Sequence, residues 1–332
     1  MVVATDMAGP APKRTSSTRR RDAALFVALC LMVLGGLGAL AASTGWAETW
    51  AALSRVTLWQ VAALLALSLV NYGLRGLRWH VFARRLGLPL GLSRNLTHFL
   101  GGFLMTITPG RVGELVRMRW IRRETGWSFE RSAPLVLVDR ASDLTAMAVL
   151  MIAAVALAAG PSVWALPVAA LAVVAAVVVT RPALLARLGD AGFALSGRRL
   201  PRLFARVRRA ARTLSRFDAP TLMLGATALG VVGWFAEGAA LWFLLKWMGA
   251  EIALWSAVGI FVFATLAGGL TGAPGGLGGA EAAMVVLLVA QGVPASIAIP
   301  ATLVIRVTTL WFAIGIGALI FPLAERGSKV GS

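Results

Sequence analysis

Residues 255–290 read WSAVGIFVFATLAGGLTGAPGGLGGAEAAMVVLLVA, and this stretch decides the fold. An apolar arm from Trp255 to Thr271 runs into Gly268, Gly269, Gly272, Pro274, Gly275, Gly276, Gly278 and Gly279. A second short apolar arm, Ala280 to Ala290, follows. A helix does not continue through such a run, because proline has no N–H to donate and glycine is a poor helix former. The stretch therefore predicts a helical hairpin broken at Pro-Gly. Upstream, Asn95 to Ile107 is a second short arm, ending at Thr108, Pro109 and Gly110.

Around the hairpins lie longer apolar runs: Ala23 to Ala42, Leu58 to Leu77, Ala133 to Leu157, Trp164 to Thr180, Thr221 to Leu245 and Ile297 to Phe321. Each has about 17 to 25 residues, enough to cross a hydrocarbon core of about 30 Å as a helix. The chain is 58% hydrophobic and only 14% charged, with a mean hydropathy of +0.80. Soluble domains carry about a quarter charged residues. The expected fold is an all-α polytopic membrane protein with six transmembrane helices and two broken hairpins. A β-barrel is disfavoured, because the apolar runs are continuous and do not alternate. Basic residues Lys13 to Arg21 precede the first run, which is read as a retained span and not a cleaved leader.

The net charge of +18 is distributed unevenly. Of 32 Lys and Arg, 28 fall in the N-terminus, the segments 75–94, 111–131 and 181–216, and the C-terminus. Only Arg55 and Lys246 fall on the other side, and Arg140 and Arg306 lie inside spans. The positive-inside rule places the basic segments and both termini in the cytoplasm of a cell inner membrane. Trp79, Trp120 and Trp127 then fall near the inner interface, and Trp46, Trp50, Trp59, Trp164 and Trp247 near the outer one. Anionic lipid accounts for the basic charge without nucleic acid. The expected organisation is a basic tail 1–22, one transmembrane domain 23–322 with a basic linker 181–219, and a tail 323–332.

The hairpins belong to a repeat. Pro109-Gly110-Arg111-Val112-Gly113-Glu114 resembles Pro274-Gly275-Gly276-Leu277-Gly278 followed by Glu281, and Asp139-Arg140 matches Ile305-Arg306. The prolines are 165 residues apart and the arginines 166. Span, hairpin, span thus occurs in 58–157 and again in 221–321, and the charge count gives the copies opposite orientations. Broken helices in inverted repeats build the binding sites of many transporters. The start of a second arm presents unpaired N–H groups with partial positive charge, which attract an anion. Structural packing corners are the alternative reading.

Charges inside the apolar runs name the candidate site. Arg111, Glu114, Asp139, Arg140, Asp143, Glu281 and Arg306 are the expected substrate-binding residues, and Glu237 a candidate proton or cation site. An ionised group at membrane depth needs a partner or water. Arg140 and Arg306 suit a lipid phosphate, which guanidinium grips bidentately. Each is also expected to approach the glutamate of its own hairpin, Glu114 or Glu281. Asp139 and Asp143 share a helical face and have the basic inner segments as alternative partners. His80, His98 and the lone Cys30 are too few for a zinc site, so no metal or cofactor is expected.

Four motifs together carry a family resemblance: Thr108 to Glu114, Val138-Asp-Arg-Ala-Ser-Asp-Leu144, Ala273 to Gly278 with Glu281, and Leu303 to Arg306 with Trp311. With them, the chain from Ala23 to Phe321 resembles the lysylphosphatidylglycerol synthase transmembrane-region, or flippase-like, family. The resemblance implies an integral membrane protein that binds or moves polar lipids. About ten residues follow the last span, so the soluble synthase domain is not expected and neither is lysyl transfer. The leading expectation is a flippase for a phospholipid or other phosphate-bearing polar lipid. The alternatives are an enzyme of lipid or glycan transfer, or a membrane partner of a lipid-modifying enzyme or glycosyltransferase.

Overall fold

The computed structural model describes residues 54–108, 115–158, 182–195 and 219–328, with 47, 50, 51, 205, 212 and 215–217. The expected spans Ala23 to Ala42 and Trp164 to Thr180 lie outside the described residues, as do Pro109 to Glu114 and most of the linker. Among the described residues there is no strand.

Helix α1, Leu58–Leu86, opens on a reciprocal cap. Thr57 N donates to Gln60 Oε1 at 2.8 Å while Gln60 N donates to Thr57 Oγ1 at 3.4 Å. It closes at Gly87, whose left-handed φ of 84° lets Leu88 N reach back to Ala83 O. Then come α2, Leu92–Gly101, a 3₁₀ turn, Gly102–Ile107, and, across the first break, α3, Val116–Thr125. Helix α4 is Phe129–Leu157, capped by the Ser128 hydroxyl. After α5, Pro182–Leu195, the second set follows: α6, Pro220–Trp247; α7, Leu254–Leu270; a 3₁₀ turn, Pro274–Gly276; and α8, Gly279–Ala290. Helix α9, Ala295–Arg306, runs through a π turn, Val307–Trp311, into α10, Phe312–Gly327. Among the described residues, long helix, short arm, short arm, long helix therefore occurs twice, and the second copy breaks at Pro274–Gly276.

Among the described residues, four helices are long and apolar enough to cross a membrane: α1, α4, α6 and the continuous α9–α10. Each keeps large apolar side chains exposed, among them Leu69, Ile152, Leu224 and Leu319, as a lipid-facing surface requires. Helix α1 runs nine residues beyond the expected Leu77. That extension corrects the reading of Arg75 and Arg78 as cytoplasmic charges. Both lie inside the helix and are buried.

Helices α1 and α6 pack antiparallel. Arg55 near the start of α1 donates to Met248 O just past the end of α6 at 3.2 Å, Asn71 packs on Gly233, and Phe82 meets Phe217 just before α6. The hairpins pack at opposite ends of this pair. Arms α2–α3 lie with Trp79, Phe82, Leu135 and Phe217 in a core at the arginine-rich end. Arms α7–α8 lie with Leu64, Met151, Leu244 and Ala298 in a core at the other end. Trp79, Trp120 and Trp127 are buried in protein. The cation of Arg117 accounts for part of this: it lies 5.3 Å from the Trp79 ring and 4.5 Å from that of Phe99.

The hairpin tips meet. Leu104 from the first and Leu277 from the second both pack on Leu310 and Ile314, at the π turn and just beyond it. Close approach at the tips requires glycine. A Cβ on Gly317 would sit 2.3 Å from Leu104 N, and one on Gly276 3.0 Å from the Gly268 carbonyl carbon. Gly275, Gly276 and Gly278 hold φ of 61°, 68° and 81°, so the Pro274 break is built in backbone geometry that side chains disfavour.

Candidate functional site

Between the two cores lies a layer of buried charge drawn from five helices, α1, α4, α6, α8 and α9. Arg75 grips Asp143 with two hydrogen bonds, Nε to Oδ1 at 3.2 Å and Nη2 to Oδ2 at 2.7 Å. Arg78 Nη2 bridges both aspartates, 2.7 Å from Asp139 Oδ1 and 2.6 Å from Asp143 Oδ1. Trp234 Nε1 on α6 donates to the same Asp143 oxygen at 3.2 Å, and its ring lies 4.9 Å from the Arg75 guanidinium. Arg78 is fully buried and Asp139 1% exposed. At this depth the charge of Arg78 is matched by two carboxylates, both on Nη2, while its Nε and Nη1 have no hydrogen-bond partner among the described residues.

Asp139 and Asp143 do face one way, as their spacing of four dictates. Their near partners are Arg75 and Arg78, while Arg140 stays 3.9 Å from each and is part exposed. The two carboxylates are thus held in an ion-pair network of guanidinium groups. The expected partner of Arg140, Glu114, lies outside the described residues, with Pro109, Gly110, Arg111 and Gly113.

The second hairpin has its own pair. Arg306 Nε donates to Glu281 Oε1 at 2.6 Å, and its Nη2 donates to Gly275 O at 2.9 Å. One side chain therefore ties the end of α9 both to the first turn of α8 and to the backbone of the break. Glu281 Oε2 is buried and has no hydrogen bond among the described residues. The π turn begins at the next residue, and Tyr72 of α1 donates to Thr309 O within it. Such turns often mark functional positions in helices.

Glu237 of α6 is 4% exposed and one turn beyond Trp234. Its neighbours on the helix place it beside the first ion-pair set: Gly233 packs on Asn71, and Trp234 contacts Arg75 and Asp143.

A third group lies at the arginine-rich end. Glu325 of α10 accepts from Arg119 at 2.6 Å, Arg123 at 2.7 Å and Trp120 Nε1 at 2.8 Å. Glu124 meets His98 at 3.1 Å and Arg94 at 3.9 Å. Partial burial raises the Glu124 carboxyl, but the His98 hydrogen bond and the charges of His98 and Arg94 outweigh it. The net result is a carboxyl held below its ordinary range.

Sequence reading missed Arg75 and Arg78, because a tally of loop arginines claimed them first. The signal was present: Ser68, Asn71, Tyr72, Arg75 and Arg78 recur every three or four residues, a polar stripe on an otherwise apolar helix.

A bundle of long apolar helices, two broken short-arm units and a buried charge layer define a helical, multi-pass membrane protein. The chain belongs to the lysylphosphatidylglycerol synthase TM region family, whose model matches residues 23–317. It is 28% identical over 320 residues to a UPF0104 membrane protein of Methanothermobacter thermautotrophicus, covering 88% of this chain and 94% of that protein. A match of 99 residues at 33% identity joins 28% of this chain to 30% of a UPF0104 membrane protein of the same organism.

Proposed function

We propose that this protein moves a polar lipid with a phosphate-bearing or otherwise anionic headgroup across the cell inner membrane. The headgroup passes through the buried charge layer while the acyl chains stay in the bilayer. The observation that carries the reading is Arg306, held at the meeting of the hairpin tips by Glu281 and by the open backbone of Gly275. A lipid phosphate is the natural competitor for that guanidinium, because it offers two oxygens in the geometry Arg matches.

The fold supports alternating access. Each end of the layer is closed by one hairpin and one hydrophobic core, so rocking one repeat against the other opens one end at a time. The domain reading follows: 58–157 and 221–321 are the moving halves, joined through the basic linker 181–219, and 23–322 is one unit. The arginine-rich end faces the cytoplasm, as do both termini. In the first half, Arg140 is the candidate headgroup ligand, with Arg111 and Glu114 named by sequence alone.

Liposomes holding the purified protein test this. Fluorescent anionic phospholipid in the inner leaflet becomes accessible to a membrane-impermeant quencher faster than in protein-free vesicles. A rate equal to the protein-free control across a panel of anionic lipids sinks the reading and favours the partner or transferase alternative.

A further inference from the structure

We propose that Glu237 carries a proton that travels with the lipid headgroup, which makes the protein a proton-and-anion symporter. The inference rests on the lipid-transport reading above. Every other carboxylate in the buried layer has an arginine nitrogen within 2.7 Å: Asp139 and Asp143 have Arg78, Asp143 also has Arg75, and Glu281 has Arg306. Glu237 has no such ion pair among the described residues, although it is 4% exposed. Its neighbour is the neutral side chain of Asn71.

The groups that face it are few and fixed. Helix α1 presents Asn71, Tyr72 and Arg75; α4 presents Asp143; α9 presents Arg306; and α7, from Leu254 to Leu270, carries no charged residue. Two of these, Arg75 and Arg306, are the cations that favour its charged form. They are also the cations a headgroup phosphate would seek. Phosphate bound to either one cancels the positive field at Glu237 and adds negative charge beside it. The carboxylate then takes up one proton, and no other bond changes. When the headgroup leaves, the field of Arg75 and Arg306 returns and the proton is released on that side. Linkage makes this reciprocal, so acid strengthens anion binding to the same extent that the anion favours protonation.

The test is lipid movement against pH in liposomes holding wild type, Glu237→Gln or Glu237→Asp, each first shown to elute and melt as folded protein. Wild type is expected to move anionic lipid faster as pH falls, by up to about tenfold per unit for one obligatory proton. With the labelled lipid supplied in the outer leaflet, an internal pH dye should register proton entry in step. Glu237→Gln should move lipid with a flat pH profile and no coupled proton entry. Glu237→Asp should keep a sloped profile with its midpoint displaced. Glu237→Gln that retains the wild-type slope and proton entry overturns the coupling while leaving lipid transport intact. Wild type that moves no lipid at any pH overturns the transport reading, and the coupling falls with it.

Discussion

At the scale of single residues, the arginines of the charge layer have two possible duties, and energetics separates them. A buried ion pair broken on one side leaves the other charge uncompensated, at a cost of about 3–5 kcal/mol. Arg306→Met should therefore lower stability by about that amount, read as a fall in the thermal midpoint of the detergent-solubilised protein. Adding Glu281→Met should recover most of it, because two apolar side chains of similar size replace the pair. Arg306 and Glu281 were legible in sequence, since a charge inside an apolar run has few explanations. Arg75 and Arg78 were not, because an arginine near the end of a span looks the same in sequence whether it snorkels to water or pairs inward with Asp139 and Asp143. Only the position of α4 settles that, and 42 residues separate the end of α1 from the start of α4.

At the scale of elements, the second hairpin was legible from Pro274, and the packing of its tip beside Gly102–Ile107 was not; Pro109 lies outside the described residues. The pairing of Leu104 with Gly317 depends on a backbone approach between segments more than 200 residues apart. Gly317→Leu should force these elements apart and cost about 1–3 kcal/mol, seen as faster hydrogen exchange in Gly102–Ile107. The arm α3 is pinned to the end of α10 through Glu325, and to α2 through Glu124 and His98. Because the Glu124 carboxyl is held below its ordinary range, its contribution is complete above about pH 4 and disappears as pH falls through the lower folded value. The stability difference between wild type and Glu124→Gln should accordingly be constant near neutrality and vanish in acid. A difference that grows on acidification would contradict this.

At the scale of the whole molecule, the antiparallel α1–α6 pair and hairpins at opposite ends were legible through the distribution of basic residues. Charge counting proposes an orientation, and it does not distinguish a tryptophan packed in protein from one facing lipid, because both share the same sequence neighbourhood. In a Cys30→Ser background, a cysteine at position 85 should react with impermeant maleimide only from the cytoplasm, and one at position 251 only from the far side. Both labelled from one face would refute the orientation. The claim that matters most is that the headgroup passes through the Arg306–Glu281 pair. The decisive measurement is lipid movement by the Arg306→Met, Glu281→Met double variant, whose stability is close to that of wild type. Loss of movement to the protein-free rate is the predicted result. Movement at the wild-type rate would make the pair a structural tie and place the lipid path elsewhere.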